Sequence, residues 1–363
     1  MTSQATGDPI QLQPKTGTPG AAVAILALCC VFWGFSFPAM KIAMDAFERQ
    51  VLSNAGSAGS PLLMELAACA TLNTWRFGGA AVLYWLLTRS RQRGFRRSDT
   101  LGGGLVGLFF AAGMFAQIVG LRYTLPSVSS FLTALVVVFA PLAQAFLFRK
   151  RVDPRTWAAV GLAMAGMIIL SQPNPSATPE NAAAPVPPFP YAGEILTVLG
   201  SLLFTGQILS IDHFGRQADT LRLTLVMFVT TALVSGLLGL CFGAHQFYAP
   251  ALLTRLAADA TLQWTMGLMI FFSSVLAMHF MNAYQPLITP AMAGVVYCLE
   301  PIFGTLFSIL FATEVLTLAT ILGGAVILLA VLVVTRRSEK DAPQAVNPEP
   351  GLQAELGEGG GGT

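Results

Sequence analysis

An acidic side chain, Glu300, lies inside a long apolar stretch, with Tyr297 three residues earlier on the same helical face. Burial disfavours a carboxylate and protonation offsets that cost, so such an acid exchanges a proton as a cavity opens to water. The position therefore predicts a proton-coupling group. The alternative is a structural glutamate held by backbone donors where Pro301 interrupts the helix.

His279 and Asn282 form a second polar pair, three residues apart on one face of another apolar segment. A histidine can titrate between pH 5 and 8, which makes His279 a second candidate for proton coupling. The alternative is a hydrogen-bonded core histidine. Both residues are candidates for lining a substrate cavity.

Two basic side chains also lie in apolar segments. Trp33, Phe37 and Lys41 follow one another at intervals of four residues and share a helical face, with Lys41 placed near the external mouth of a cavity, where its amine meets an anion or snorkels to the interface. Arg76 falls midway along its segment, and Glu65 is about 16 Å away along the helix, too far for an ion pair. Its predicted partner is a carbonyl freed by a proline or a carboxylate on a neighbouring helix, and the residue is either an anchor or a ligand contact.

Four uncharged polar residues complete the candidate set: Gln117, Ser130, Thr133 and Gln207. Each is explained either by an interhelical hydrogen bond of about 0.6 kcal/mol or by contact with a ligand. A functional site is favoured by their distribution over several helices rather than by any one of them.

The elements that position these residues must be membrane helices. Of 363 residues, 54% are hydrophobic and 10% are charged, with a mean hydropathy of +0.67. Soluble domains have about 25% charged residues, so this chain lacks the polar surface for water. A net charge of +2, with basic and aromatic residues mixed in only one short loop, argues against nucleic-acid binding. The cysteines lack metal-ligand spacing, so neither a metal nor a cofactor is expected.

The chain divides into ten apolar segments of the length that spans a bilayer. They cover residues 21–44, 62–88, 101–121, 126–148, 156–171, 191–211, 221–243, 262–284, 288–311 and 315–335. In the third, Gly103, Gly107 and Ala111 predict close helix packing rather than a phosphate loop. Residues 1–20 and 336–363 are expected to be disordered tails, and 172–190 a Pro/Ala-rich external linker.

The loop cations predict the orientation. Fifteen of the eighteen Lys and Arg residues in loops and tails lie on one side, so both termini are expected in the cytoplasm of a multi-pass plasma-membrane protein. The expected partners are the lipid bilayer and a small-molecule substrate; a homodimer is left open.

An internal repeat links the two halves, 21–171 and 191–335. Pro126 and Pro141 are matched by Pro286 and Pro301 at an offset of 160 residues, and Gly161 by Gly323 at 162. An odd number of spans per half requires the second half to be inverted. The predicted fold is therefore all-α, with ten transmembrane helices in two inverted five-helix repeats around a central cavity. Pro141 and Pro301 are expected to act as paired hinges because each leaves a backbone carbonyl unbonded.

Four segments carry a recognisable family pattern: WGFSFPAMKIAM (33–44), TWRFGGAAVLYWLL (74–87), LRYTLPSVSSFLTALVVVFAPL (121–142) and VVYCLEPIFGTLFSILFATEVLTLATILGGAVILL (295–329). Through them the sequence resembles the EamA-type members of the drug/metabolite transporter superfamily. It implies ten spans, a central cavity and export or exchange of amino acids, purines or amphipathic drugs. The first repeat departs from the family pattern: Arg149, Lys150 and Arg151 replace a common Gly-Glu, whereas the second keeps Glu314, so no role for the first glutamate carries over.

The expected function is that of a secondary transporter rather than an enzyme. The chain has no ATP-binding motif, so a gradient or the substrate itself must supply the energy. The alternative is an intramembrane lipid-modifying enzyme, which would need a catalytic cluster near the interface; nothing better than Asp212-His213 is available.

Overall fold

The computed structural model describes residues 18–52, 61–124, 126–147, 149, 151–170, 188–311 and 316–335, and its regular elements there are all helical. Most of the expected tails and linker, together with Lys150 and Glu314, lies outside these residues. The helices are α1 (Pro19–Leu52), α2 (Pro61–Thr88), α3 (Arg97–Arg122), α4 (Pro126–Thr133), α5 (Val136–Phe146), α6 (Pro154–Leu170), α7 (Ala192–Phe214), α8 (Thr220–Cys241), α9 (Pro250–Ala258), α10 (Ala260–Leu268), α11 (Ala277–Tyr284), α12 (Pro290–Tyr297), α13 (Leu299–Leu310) and α14 (Leu318–Thr335).

Seven helical segments in the described part of the chain are long and apolar enough to cross a membrane. They are Pro19–Val51, Arg97–Arg122, Val128–Phe146, Ala192–Phe214, Thr220–Cys241, Ala260–Leu287 and Pro290–Leu310. Two shorter apolar helices are Pro154–Ile169 and Leu318–Val334. The protein is therefore a multi-pass, all-helical membrane protein. The α2 helix, which carries Glu65, Asn73 and Arg76, is not among the seven.

The first helix is longer than the sequence predicts. The apolar run ends at 44, but α1 continues to Leu52. The extension is stabilised by packing and charge: Phe47 is fully buried against Trp75 and Phe247, and Glu48 accepts a hydrogen bond from Arg122. Lys41 therefore lies roughly 16 Å along the axis from the C-terminal end of α1. The prediction that it lies near the external mouth of the cavity is wrong.

Small residues allow α3 to pack closely on two helices, as predicted for Gly103 and Gly107. A Cβ on Gly103 would lie 2.6 Å from the Leu223 carbonyl oxygen, and one on Gly107 would lie 2.7 Å from that of Met227, both on α8. These positions confirm the packing role of the glycines and exclude any larger residue there without a shift of the backbone.

On its other side, α3 runs antiparallel to α7. Gly120 lies against Gly193, and Gly113 against Phe204 and Gly200. The C-terminal ends of α1 and α3 therefore meet the start of α2 and α7 at one end of the bundle, called here the Arg122 end. The start of α3 and α8 lies at the opposite end, called the Asp99 end, where Arg222 pairs with Asp99.

The contacts between helices are symmetric between the two halves. Helix α2 packs antiparallel on α8, as Thr74 against Gly236 and Ala70 against Gly239 indicate. Likewise, α4 and α5 pack antiparallel on α13 and α12, with Ser130 near Gly304. Two further contacts of α1, with α10–α11 and with α12–α13, have counterparts in the contacts of α7 with α3 and with α4–α5. Corresponding helices thus run in opposite directions.

Three spans are interrupted at the level of the bundle centre. The segment of α4 and α5 breaks at Ala134–Leu135, where the Val137 N–H bonds to the Ala134 carbonyl in a tightened turn. The segment of α12 and α13 breaks at Cys298, three residues before Pro301. Each break precedes its proline, and the break at Cys298 directly follows Tyr297, whose carbonyl loses its ordinary donor to Pro301. The third interruption, a π-helix over Met269–Leu276, was not predicted.

The contact of α6 with α14 offers a matched test of this packing. A Cβ on Gly166 would lie 2.8 Å from the Gly323 carbonyl oxygen, whereas one on Gly161 meets nothing within 4 Å. We expect Gly166→Val to destabilise the protein by about 1–3 kcal/mol through overpacking, and Gly161→Val to have a smaller effect. Thermal unfolding in detergent measures both. Equal melting temperatures for the two variants would contradict this contact, because the change in helix propensity from Gly to Val is the same at both positions.

Candidate functional site

A central cavity lies where the interrupted helices meet. Its volume is about 620 Å³, which includes space that is open to solvent. Seven described elements contribute side chains: α1, α2, α3, the α4–α5 break, α7, α11 and the α12–α13 break. The lining residues are Trp33, Ser36, Phe37, Arg76, Phe110, Met114, Gln117, Thr133, Ala134, Val136, Phe204, Gln207, Ile208, Met278, Met281, Tyr297 and Glu300.

The basic group of the cavity is Arg76, which is 3% exposed. Its Nε donates to the Ser274 hydroxyl oxygen at 3.0 Å, and a terminal nitrogen donates to Ser273. Both serines lie in the π-helix, so the predicted partners, a carbonyl freed by a proline or a carboxylate, are wrong. Hydroxyls orient the guanidinium but leave its charge uncompensated, and it remains available to an anionic group in the cavity.

The acidic group is Glu300, in the first turn of α13 just after the break at Cys298. No ion pair within 4 Å involves either Glu300 or Arg76 among the described residues. A carboxylate in this first turn also interacts favourably with the helix dipole. The cavity therefore presents one acid and one base that are not neutralised by each other.

Aromatic and thioether side chains cover most of the remaining wall. The Trp33 indole is fixed by a hydrogen bond from Nε1 to the Ser273 carbonyl oxygen at 3.2 Å, and its ring meets Tyr297 edge-on at 5.4 Å between centroids. The other members are Phe37, Phe110, Phe204, Met114, Met278 and Met281. Such a surface suits a ligand that has an apolar body in addition to ionic groups.

Amide and hydroxyl groups complete the wall. Gln117 donates to the Thr133 hydroxyl at 2.7 Å, and Ser201 donates to the Thr133 carbonyl oxygen at 2.9 Å. That carbonyl lies at the end of α4, where the helix break removes its ordinary donor. Gln117 and Thr133 thus have the interhelical role that was one of the two alternatives, and both also face the cavity.

Eight of the predicted site residues line the cavity: Trp33, Phe37, Arg76, Gln117, Thr133, Gln207, Tyr297 and Glu300. Four do not. His279 meets the Tyr84 hydroxyl at 2.8 Å, and Asn282 donates to Thr224 at 3.0 Å. Ser130 is buried against α13, and Lys41 lies on α1 beyond the cavity.

Sequence reasoning missed the apolar part of the lining. Phe110, Met114, Phe204, Met278 and Met281 face the cavity, but they are apolar like the side chains exposed on the outside of the bundle. A lipid-facing surface and an apolar cavity wall both favour apolar residues. The periodicity of the sequence therefore does not distinguish cavity-lining side chains from lipid-facing ones. The helix breaks at Ala134 and Cys298 were the available signal, because irregular backbone in a membrane lines a cavity.

Taken together, the apolar bundle, the broken helices and the central cavity define a polytopic protein of the membrane-transport class. The chain belongs to the EamA-like transporter family, whose pattern matches residues 20–172 and again 191–336. This match confirms the resemblance and the presence of two repeats.

A curated relative from Archaeoglobus fulgidus, described as an uncharacterized transporter, is 26% identical over 312 residues, covering 86% of this chain and 85% of the relative. A protein of known crystal structure aligns with a TM-score of 0.58 at 17% identity, covering 88% of this chain and 98% of that one. The second likeness concerns the fold alone.

Proposed function

We propose that this protein is a secondary transporter that moves a small, partly apolar metabolite with ionic groups by alternating access. Amino acids, purines and amphipathic drug-like compounds are the candidate substrates, and export or exchange is the proposed mode. The observation that carries the proposal is the central cavity, in which Arg76 and Glu300 face an aromatic wall without pairing with each other. Buried charges are costly in a membrane, so their presence favours a functional role over a structural one.

We further propose ten spans in two inverted halves. The antiparallel packing of α2 on α8, and of α4–α5 on α12–α13, supports this arrangement because inverted copies must run in opposite directions. Pro141 and Pro301 share the repeat offset, each follows a helix break by three to seven residues, and they are the proposed hinges.

The proposed orientation places the Asp99 end in the cytoplasm of a plasma-membrane protein, with both termini on that side. The loop between α2 and α3 supports it, because Arg89, Arg91, Arg93, Arg96 and Arg97 all lie there. The Arg122 end then faces the exterior.

Exchange in proteoliposomes tests the function. Vesicles containing the purified protein are loaded with one unlabelled metabolite, and entry of the labelled form is measured for amino acids, purines and amphipathic amines in turn. We expect saturable exchange for at least one class, and the same rate for Asp212→Asn, whose carboxylate pairs with the exposed Arg216 at the Asp99 end. Rates equal to those of protein-free vesicles for every class, with and without a pH gradient, would contradict the proposal.

A further inference from the structure

A second pocket lies between α1, α2 and α3 at the Arg122 end. It encloses about 190 Å³ of non-atom space and is lined by Met44, Phe47, Glu48, Glu65, Ala68, Cys69, Leu72 and Arg122. Three of these side chains are charged, and nothing in the proposed mechanism so far uses them.

The charged side chains of the second pocket hold the three helices together. Arg122 of α3 pairs with Glu48 of α1 and lies 3.8 Å from Glu65 of α2. The hydroxyl of Tyr123 also donates to Glu65. While these contacts persist, the ends of α1, α2 and α3 cannot separate.

The second pocket and the central cavity are stacked along the same helices. On α1, Met44 lies seven residues beyond Phe37, which is about 10 Å along the axis. On α2, Leu72 lies one turn from Arg76, and on α3, Arg122 lies five residues beyond Gln117. A solute leaving the cavity towards the Arg122 end along these helices must therefore pass the second pocket.

Polar atoms without partners mark the same region. Asn73 is fully buried, and neither its amide nitrogen nor its oxygen has a hydrogen-bond partner in the described part of the chain. It lines neither pocket itself, but it lies four residues after Cys69 and three before Arg76, on the same face of α2 as these two lining residues. The Nε of Arg122, whose side chain is 9% exposed, also has no partner there. A buried polar group without a partner destabilises the conformation that contains it. The presence of such groups is explained if a second conformation of the protein exposes them to water or to the solute.

The charge cluster around Asp99 at the opposite end differs from the one around Arg122. Asp99 accepts hydrogen bonds from the backbone N–H groups of Arg96 and Asp219 and from Arg222, so both oxygens of its carboxylate have partners. It lines neither the central cavity nor the second pocket. The Asp99 cluster connects α3 and α8. The cluster around Arg122 instead lies beside a pocket and includes a guanidinium nitrogen that has no hydrogen-bond partner in the described residues.

We propose that the second pocket is a transient binding site on the transport path, closed when Arg122 bridges Glu48 and Glu65. Opening separates these side chains, and a passing substrate replaces the lost contacts with an ammonium group to the glutamates and an anionic group to Arg122. This inference rests on the proposed function, and it identifies the route between the central cavity and the Arg122 end. It also assigns Asn73 to the wall of that route.

Cys69 provides a native reporter because it lines the second pocket and is 2% exposed. In a variant with alanine at Cys29, Cys30, Cys241 and Cys298, only Cys69 reacts with a small, charged methanethiosulfonate. We expect slow labelling in this background, and labelling at least tenfold faster after Glu48→Gln or Arg122→Gln. Asp212→Asn is the matched control and is expected to leave the rate unchanged.

Two added cysteines identify the side of the membrane from which the reagent reaches Cys69. Tyr191→Cys marks the Arg122 end, where that residue is 75% exposed, and Arg91→Cys marks the other end. Cys69 should react from the side that labels Tyr191→Cys. Labelling from the side of Arg91→Cys, or no acceleration in either well-folded charge variant, would overturn the route.

Asn73→Leu keeps the inference testable if both charge variants fail to fold. Removing an unpaired buried amide should raise the melting temperature, and closing the route with an apolar side chain should slow substrate exchange at least fivefold. Exchange that stays at the original rate in this variant would contradict the placement of Asn73 on the path. If the protein exchanges substrate but the charge variants do not change the labelling rate of Cys69, the route is rejected and the proposed function stands. If the labelling rate changes but no substrate is exchanged, the proposed function is rejected and the route stands.

Discussion

Glu300→Gln is expected to abolish uptake driven by a pH gradient while leaving counterflow of substrate down its own gradient within about twofold of the original rate. Glutamine resembles the protonated acid, so the cavity keeps its shape and loses the group that exchanges a proton. The absence of an ion pair with Arg76 within 4 Å favours this outcome, since a paired glutamate would instead be needed for folding. Both modes are measured in the same proteoliposomes.

Asp212→Asn serves as the control for Glu300→Gln, because it also removes one carboxylate but lies at the Asp99 end beside Arg216. It should preserve both modes. A folded Glu300→Gln protein that still responds to a pH gradient would exclude this residue from coupling. His279 would then be the remaining titratable candidate, although it contacts Tyr84 and does not line the cavity.

The charged site residues could be predicted from the sequence because charge is rare in apolar helices. Arg76 and Glu300 each interrupt a long apolar run, and the structure places both in one cavity. The offset shared by the prolines likewise located the breaks to within seven residues. These signals survive in a single sequence because each violates the preference of the surrounding lipid.

The partners of Arg76 could not be predicted in this way. Ser273 and Ser274 are adjacent, and in an α-helix adjacent side chains diverge by about 100°. The π-helix widens the turn and directs both hydroxyls to Arg76, but its sequence, MIFFSSVL, has no distinguishing composition. The extension of α1 was missed for a related reason: Glu48, one of the charges that follow its apolar run, is stabilised by Arg122, which is distant in sequence.

Arg76→Gln is expected to reduce exchange at least a hundredfold while leaving the melting temperature unchanged or higher. A guanidinium at mid-span costs about 2.5–3.5 kcal/mol on insertion scales. Within the described residues, two serine hydroxyls bond to Arg76 and the ring of Phe77 lies 5.2 Å from its guanidinium carbon. Removing that charge should therefore not weaken the fold. It does remove the only cationic group that lines the cavity within the described residues, and with it the recognition of an anionic substrate group.

Three further variants separate recognition from structural anchoring. Arg216→Gln, which removes an exposed guanidinium, should leave exchange intact. Ser273→Ala with Ser274→Ala should weaken the apparent affinity by about tenfold at a similar maximal rate, because Arg76 keeps its charge but loses its orientation. Arg76→Lys should retain part of the exchange that Arg76→Gln loses, because lysine keeps the positive charge. The recovery should be incomplete, because lysine lacks the planar guanidinium that binds an anion through two hydrogen bonds. If Arg76→Gln instead lowers the melting temperature and exchange is lost only in proportion to folded protein, Arg76 is an anchor between α2 and the π-helix, and the anionic group of the substrate must be bound elsewhere.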